Sequence, residues 1–346
     1  EPDLGLHDVP ETPKGNVVVD MSDNTFLVTH NFTPFIDTRP GVPDEQRYKA
    51  LGGGRYPPED WGGWKTPDER KQLRDKYGPG GLKAFASPDG LHWRLLKNEP
   101  VLSEDMGSFD SQNGAFWSDA EDQYACYFRW FDKGRRAIRR STSKDFLSWT
   151  EPVWLEYTPD RLTQLYTNQI KPYHRAPHNY LGFPARYVAG RGWYSPANEQ
   201  ISSLSGSRRC GTDYTDTGFI TSRDGTTFRV WPEAVVRPGP SPRLWMYGVG
   251  YAAWGMVETK SDVPDAPNEI SFYIFQVNGS IFSFSCPQLV TPSPGINNYP
   301  VTHLVIFRFR ISKRSIGPNR KITNLKLMWP FIFESVLNLD IFLFSR

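Results

Sequence analysis

The sequence predicts an all-β chain arranged as a propeller. Three observations predict it: composition, a turn phrase that returns three times, and the spacing of its copies. The 346 residues include 12 Trp, 29 Gly and 30 Pro, and aromatics make up 14%. Short strands joined by tight turns accommodate such residues, whereas a helical bundle does not. The phrase is Ser87-Pro-Asp89-Gly90-Leu-His-Trp93, repeated as Ser143-Lys-Asp145-Phe-Leu-Ser-Trp149 and Ser222-Arg-Asp224-Gly225-Thr-Thr-Phe228. Its copies start 56 and 79 residues apart. Blades of about 40–50 residues with inserted loops fit that range. Hairpin turns in a β-sandwich are the competing reading.

Each copy follows a β-rich run: Leu82 to Ala86, Arg136 to Arg140 and Gly218 to Thr221. Asp and Gly supply the turn, and the aromatic fills the space between neighbouring sheets. Residues 44–80 read as a Gly/Pro-rich, charged excursion, and residues 157–214 as a second long insertion. Within the first, Thr66-Pro67 predicts a short helix, with Thr66 as N-cap and Pro67 at its first position. Insertions of this kind decorate a binding face.

Both termini break the pattern. Glu1-Pro2 matches Glu151-Pro152, which follows a repeat, so a truncated first blade is expected at residue 1. A propeller domain is expected over 1–270, and an atypical tail over 271–346. The first holds 36 acids and 32 bases, the second 2 acids and 8 bases. Eleven of the 12 Trp precede residue 271, and ten of the 22 Phe follow it. Translated non-coding sequence accounts for such a tail better than a second domain does. Its apolar β-formers with few charges make it aggregation-prone.

Several function classes drop out. A net charge of +2 suggests no polyanion partner, hence no nucleic acid. No apolar run reaches the roughly 18 residues that cross a membrane as a helix. Cys126, Cys210 and Cys286 show no metal spacing and read as isolated thiols. No phosphate-binding Gly loop, nucleophile elbow or HExxH occurs, and no cofactor is expected. Asn31-Phe-Thr33 is a glycosylation sequon, a slight pointer to secretion. Oligomeric state stays open.

Sugar cleavage needs two carboxyl groups across the scissile bond. In a ring of sheets these come from different blades, so acids in apolar strand contexts are the candidates. Asp37 ends the run His30-Asn-Phe-Thr-Pro-Phe-Ile-Asp37. Asp110 sits in Phe109-Asp-Ser-Gln-Asn113-Gly-Ala-Phe-Trp117, where amides could hold hydroxyls and rings could stack on a sugar. Glu269 opens a strand, with Glu258 as its rival. Asn31, Asn113, Trp117, Arg129, His178, Arg186 and Asp216 are the candidate substrate contacts. An inward strand arginine must pair with a carboxylate or bind an anionic or hydroxyl-rich ligand. Arg129, Arg186 and His178 are also the candidates for a phosphate pocket, should a phosphorylase occupy this scaffold. His174 and His178 read as loop residues and not as metal ligands.

His30–Asp37, Arg47–Gly52, Phe109–Asn113, Tyr180–Arg186, Phe219–Gly225 and Arg237-Pro-Gly239 together resemble glycosyl-hydrolase-like proteins related to families 32 and 43. The resemblance runs from about residue 1 to 275. It implies a five-bladed propeller, as also in families 68 and 117, with an acidic triad in a central funnel and a carbohydrate substrate. By position Asp37, Asp110 and Glu269 resemble that triad. Past Glu269 the chain departs from the pattern. Two readings follow: a glycoside hydrolase, or a carbohydrate-binding propeller without catalysis. Convergence of the acids at the axis would favour the first, and an exposed Asp110 or scattered acids the second.

Overall fold

A computed structural model describes residues 30–56, 66–159, 163–191, 209–239, 250–261, 268–277 and 302–309, with Trp245, Tyr247, Pro264 and Asp265. Among these, nearly all regular structure is β, in four sheets.

The first sheet holds β1 (Thr33–Ile36), β2 (Tyr48–Gly54), β3 (Gly81–Ser87) and β4 (Arg94–Leu95) in that order, with β5 (Leu102–Ser103) beside β3. The second runs β6 (Gly114–Ser118), β7 (Gln123–Asp132), β8 (Arg135–Ser143) and β9 (Val153–Trp154). The third takes β10 (Glu156–Thr158), β11 (Gln164–Leu165), β12 (Lys171–Tyr173), β13 (Ala176–Gly182), β14 (Ala185–Val188), β15 (Tyr214–Ser222) and β16 (Thr227–Val236). Its main path is β12-β13-β15-β16, and β10 adds in parallel outside β16. The fourth holds β17 (Tyr251–Ala252), β18 (Val257–Thr259), β19 (Glu269–Val277) and β20 (Thr302–Phe309).

Packing is successive. Phe35, Leu82, Trp117 and Phe128 form a core between the first two sheets. Phe116, Ile138, Ile170, Ile220 and Phe228 do so between the second and third, and Phe183, Phe272 and Ile274 between the third and fourth. Trp254, from the fourth sheet, reaches back onto the first two of these cores. The leading strands β1, β6 and β12 lie beside one another.

The repeated turns share one bonding scheme. In each, the serine hydroxyl donates to the aspartate at 3.0 Å and accepts the amide of the fourth residue at 2.9 Å. The aspartate accepts the next two amides at 2.7–2.8 Å. The fourth residue has positive φ in all three: Gly90, Phe146 and Gly225. Glycine adopts that region freely, whereas Phe146 is strained there and is held by complete burial. Backbone donors hold the three carboxyls low; at Asp224, where burial opposes them, Thr227 and Thr226 still bring the value to about 2.

Strand polarity gives the fold two ends. At the lower end lie these turns and the connections from each leading strand to the next: 37–47, 119–122 and 174–175. At the upper end the leading strands begin. There β2 ends and β3 begins, as β14 ends and β15 begins. The insertions are therefore shorter than the composition suggests. Gly52-Gly-Gly54 belongs to buried β2, and residues 164–188 supply sheet strands. Chain composition cannot separate a Gly-rich strand from a loop when the strand is buried on both faces.

The predicted helix is α1 (Pro67–Tyr77), with a complete capping box between Thr66 and Glu69. The expected boundary at 270 falls inside β19, and β20 pairs antiparallel with it. Residues 1–29 and the rest of the expected tail lie outside the described residues, as do the side chains of Cys210 and Cys286. Cys126 is a free, buried thiol.

Candidate functional site

The three proposed acids do not meet. Asp37 follows β1 at the lower end and is 3% exposed. Lys49 pairs with it, Tyr124 donates to it at 2.6 Å, and the Arg39 amide at 3.0 Å. The carboxylate is thus spoken for by a bridge between the first two sheets. Burial lowers the Lys49 pKa more than its bond to Asp37 raises it, and burial raises Tyr124. Glu269 is also buried at the lower end, opposite Thr259, and accepts from Ser261 at 2.8 Å. Its rival Glu258 is on the surface, bound by Arg175, His174 and Asn268, whose hydrogen bonds hold it at about 2.

Asp110 is at the other end, in the segment entering β6. Asn31, entering β1, donates to the Phe109 carbonyl at 3.0 Å, so the starts of β1 and β6 are side by side. From Asn31 to Asp37 the extended chain travels roughly 15–20 Å. Paired glycosidase carboxyls stand about 5–9.5 Å apart.

The upper end has its own construction. Asn31, Phe109 and Gln169 have positive φ, and each shortly precedes a leading strand. Non-glycine residues in that region cost about 1–3 kcal/mol each and gather at functional sites. Amides link the entries: Asn113 donates to the Phe109 carbonyl at 3.2 Å, Asn168 to the Gln112 carbonyl at 3.1 Å, and Gln169 to the Gln112 side chain at 2.5 Å.

In this setting the Asp110 side chain is 45% exposed. Arg129, 1% exposed, pairs with it through Nη2. Arg129 Nε and Nη1, Ser111 Oγ and Asn113 Oδ1 are buried without a hydrogen-bond partner among the described residues. The guanidinium lies 4.9 Å from the Phe131 ring and 5.2 Å from Tyr166. Burial pulls the His30 imidazole below its usual range, and the nearby Asp110 charge pulls it back only in part. The arrangement can offer a fixed carboxylate to sugar hydroxyls, with amides and rings around it.

The other predicted contacts go elsewhere. Arg186 makes a buried two-bonded pair with Asp216, at 2.6 and 2.7 Å, inside the third sheet. His178 is exposed on β13. With Arg129 beneath Asp110, these three cations form no common phosphate pocket. Trp117 packs edge-on against Tyr124 in the first core. Asn31 already donates its side-chain nitrogen, and Thr33 is buried, so the sequon is not presented as an acceptor in the folded chain. Sequence reading missed His30, Tyr166, Asn168 and Gln169. A signal was present: Asn31, Gln112-Asn113 and Asn168-Gln169 are amides placed just before three successive leading strands.

No protein-family model matches the chain, and no curated protein matches it. Among solved structures it is similar to an N-acetylgalactosamine deacetylase from F. plautii, at 10% identity and TM-score 0.40, covering 82% of this chain and 89% of that one. It is similar also to a glycosyl hydrolase from Bacteroides ovatus, at 10% identity and TM-score 0.41, covering 81% and 67%. A β-1,2-mannobiose phosphorylase from Listeria innocua stands at 13% and 0.40, covering 81% and 72%. At these values the chemistry of this chain rests on its own side chains.

Proposed function

We propose that this chain is a glycoside-hydrolase-like carbohydrate-binding protein that holds its ligand at the upper end, around Asp110. The four sheets are read as blades of the expected five-bladed ring. Their successive packing and the adjacency of β1, β6 and β12 support that reading. One observation carries the function: a half-exposed carboxylate, held by a buried arginine, where three strained strand entries meet. Carboxylates, amides and aromatic rings are the groups that bind sugar hydroxyls and ring faces. Hydrolysis by Asp37, Asp110 and Glu269 acting together is the weaker reading, because they occupy opposite ends.

The test is calorimetric titration with plant, algal and microbial oligosaccharides, alongside a reducing-end assay. Binding that falls at least about tenfold in Asp110→Ala is expected, since a hydrogen bond to a charged group contributes about 1.5–3 kcal/mol. Binding unchanged in that variant, or no binding to any of them, would overturn the proposal. Hydrolysis lost equally in Asp37→Asn and Asp110→Asn, with both variants folded, would restore the three-acid mechanism.

A further inference from the structure

Beside Asp110 the upper end carries a cationic aromatic shelf. Tyr166 stacks on Tyr187 at 6.1 Å and on Tyr251 at 5.9 Å, and Tyr247 meets Tyr166 and Tyr187 edge-on at 5.5 and 5.7 Å. The Tyr247 hydroxyl donates to that of Tyr166 at 2.5 Å. Two half-buried guanidiniums border these rings. Arg136 lies 4.2 Å from Tyr187 and 5.3 Å from Tyr166, and Arg209 lies 4.6 Å from Tyr247.

Neither arginine forms an ion pair among the described residues. Arg136 donates through Nη1 to the neutral Gln164 side chain at 2.9 Å, and its buried Nε has no partner. The nearby carboxylates are engaged otherwise: Asp110 by Arg129, and Asp213 by Tyr187, the Gly190 amide and Thr212. Burial and the Asp213 bond push Tyr187 up to about 12, and burial raises Tyr247 and Tyr251 as well. Among the described residues the shelf therefore holds two positive charges without carboxylate partners.

We infer that Arg136 and Arg209 form a subsite for the carboxylate of an acidic sugar, with the tyrosine cluster as the apolar wall beside it. The inference rests on the carbohydrate reading above and adds the substrate class: glycans containing uronic acid. Guanidinium binds carboxylate through paired hydrogen bonds, and the tyrosine edges give a pyranose its apolar contact. Inorganic phosphate has the charge but no use for the rings.

The experiment compares, on the full chain, uronate oligosaccharides, their methyl esters and inorganic phosphate. The free acids are expected to bind about tenfold or more tighter than the esters, and this preference should weaken as salt rises. In Arg136→Gln and in Arg209→Gln the ratio of acid to ester affinity should fall toward one. The wild-type acid-to-ester ratio needs no variant and so does not depend on variant folding. Equal affinity for acid and ester would overturn this inference while leaving the carbohydrate reading intact. Phosphate displacing nothing is expected; phosphate binding without any uronate binding would overturn it. Binding of neither acid nor ester would overturn both readings.

Discussion

The two ends of the molecule are built on opposite rules. At the lower end each pair of successive sheets is tied by a polar bridge. Lys49 and Tyr124 meet at Asp37 between the first two. Tyr180 and Arg140 meet at Glu121, and Tyr127 donates to the Gly225 carbonyl at 2.7 Å, between the second and third. His174 and Arg175 bind Glu258 between the third and fourth. At the upper end the backbone is strained at three strand entries, and buried polar atoms of Ser111, Asn113 and Arg129 have no partner among the described residues. The lesson is a division of labour. An ion pair between sheets fixes them, whereas a half-exposed carboxylate held by a buried arginine suits a ligand.

Mutation can break this contrast. Lys49→Met leaves Asp37 buried without its cation and should cost about 3–5 kcal/mol in a denaturant melt. A loss under about 1 kcal/mol would mean that the lower bridge is not structural. Arg129→Leu should act mainly on the ligand: glycan affinity drops by about tenfold or more as Asp110 loses its anchor, a charge-assisted bond. A stability loss as large as that of Lys49→Met, with affinity retained, would erase the distinction between the ends.

A smaller effect sharpens the strain argument. Lys133 has φ 48 in the β7–β8 turn, directly before Gly134 at φ 80. Lys133→Asn gives that turn its favoured Asn-Gly pair and should stabilise by about 0.5 kcal/mol. A destabilised variant would contradict it. The smallest effect concerns pH. The Asp224 carboxyl has a folded value of about 2, below the usual value near 3.8. A lowered carboxyl stabilises above its unfolded value and loses that contribution as pH falls. Melting temperature should therefore decline between pH 4 and 2, and less steeply in Asp224→Asn. Parallel curves would remove the turn from that account.

Much of the fold could be read from the sequence because turn chemistry is local. Ser87, Ser143 and Ser222 each close the same bonds with the aspartate two residues on, and Thr66-Pro67 caps a helix by contacts within one turn. The site was harder to read because its geometry depends on strand direction. Asp37 after Phe35-Ile36 and Asp110 before Gly114 both look like acids beside strands. One leaves a leading strand and the other enters one, so they lie at opposite ends. Counting strands from the Ser-Asp turns would have separated them. Arg186 and Asp216 were each picked singly, yet they are partners across β14 and β15.

Trp254 has a practical use that follows from its position. Its indole nitrogen donates to the Ile170 carbonyl at 3.0 Å, and its ring leaves no spare room at Gly114. A single fluorophore from the last described sheet thus rests on two earlier ones. Its share of the emission, read as the difference from Trp254→Phe because the chain has 12 Trp, would shift red if that sheet came away, making it an optical gauge of docking.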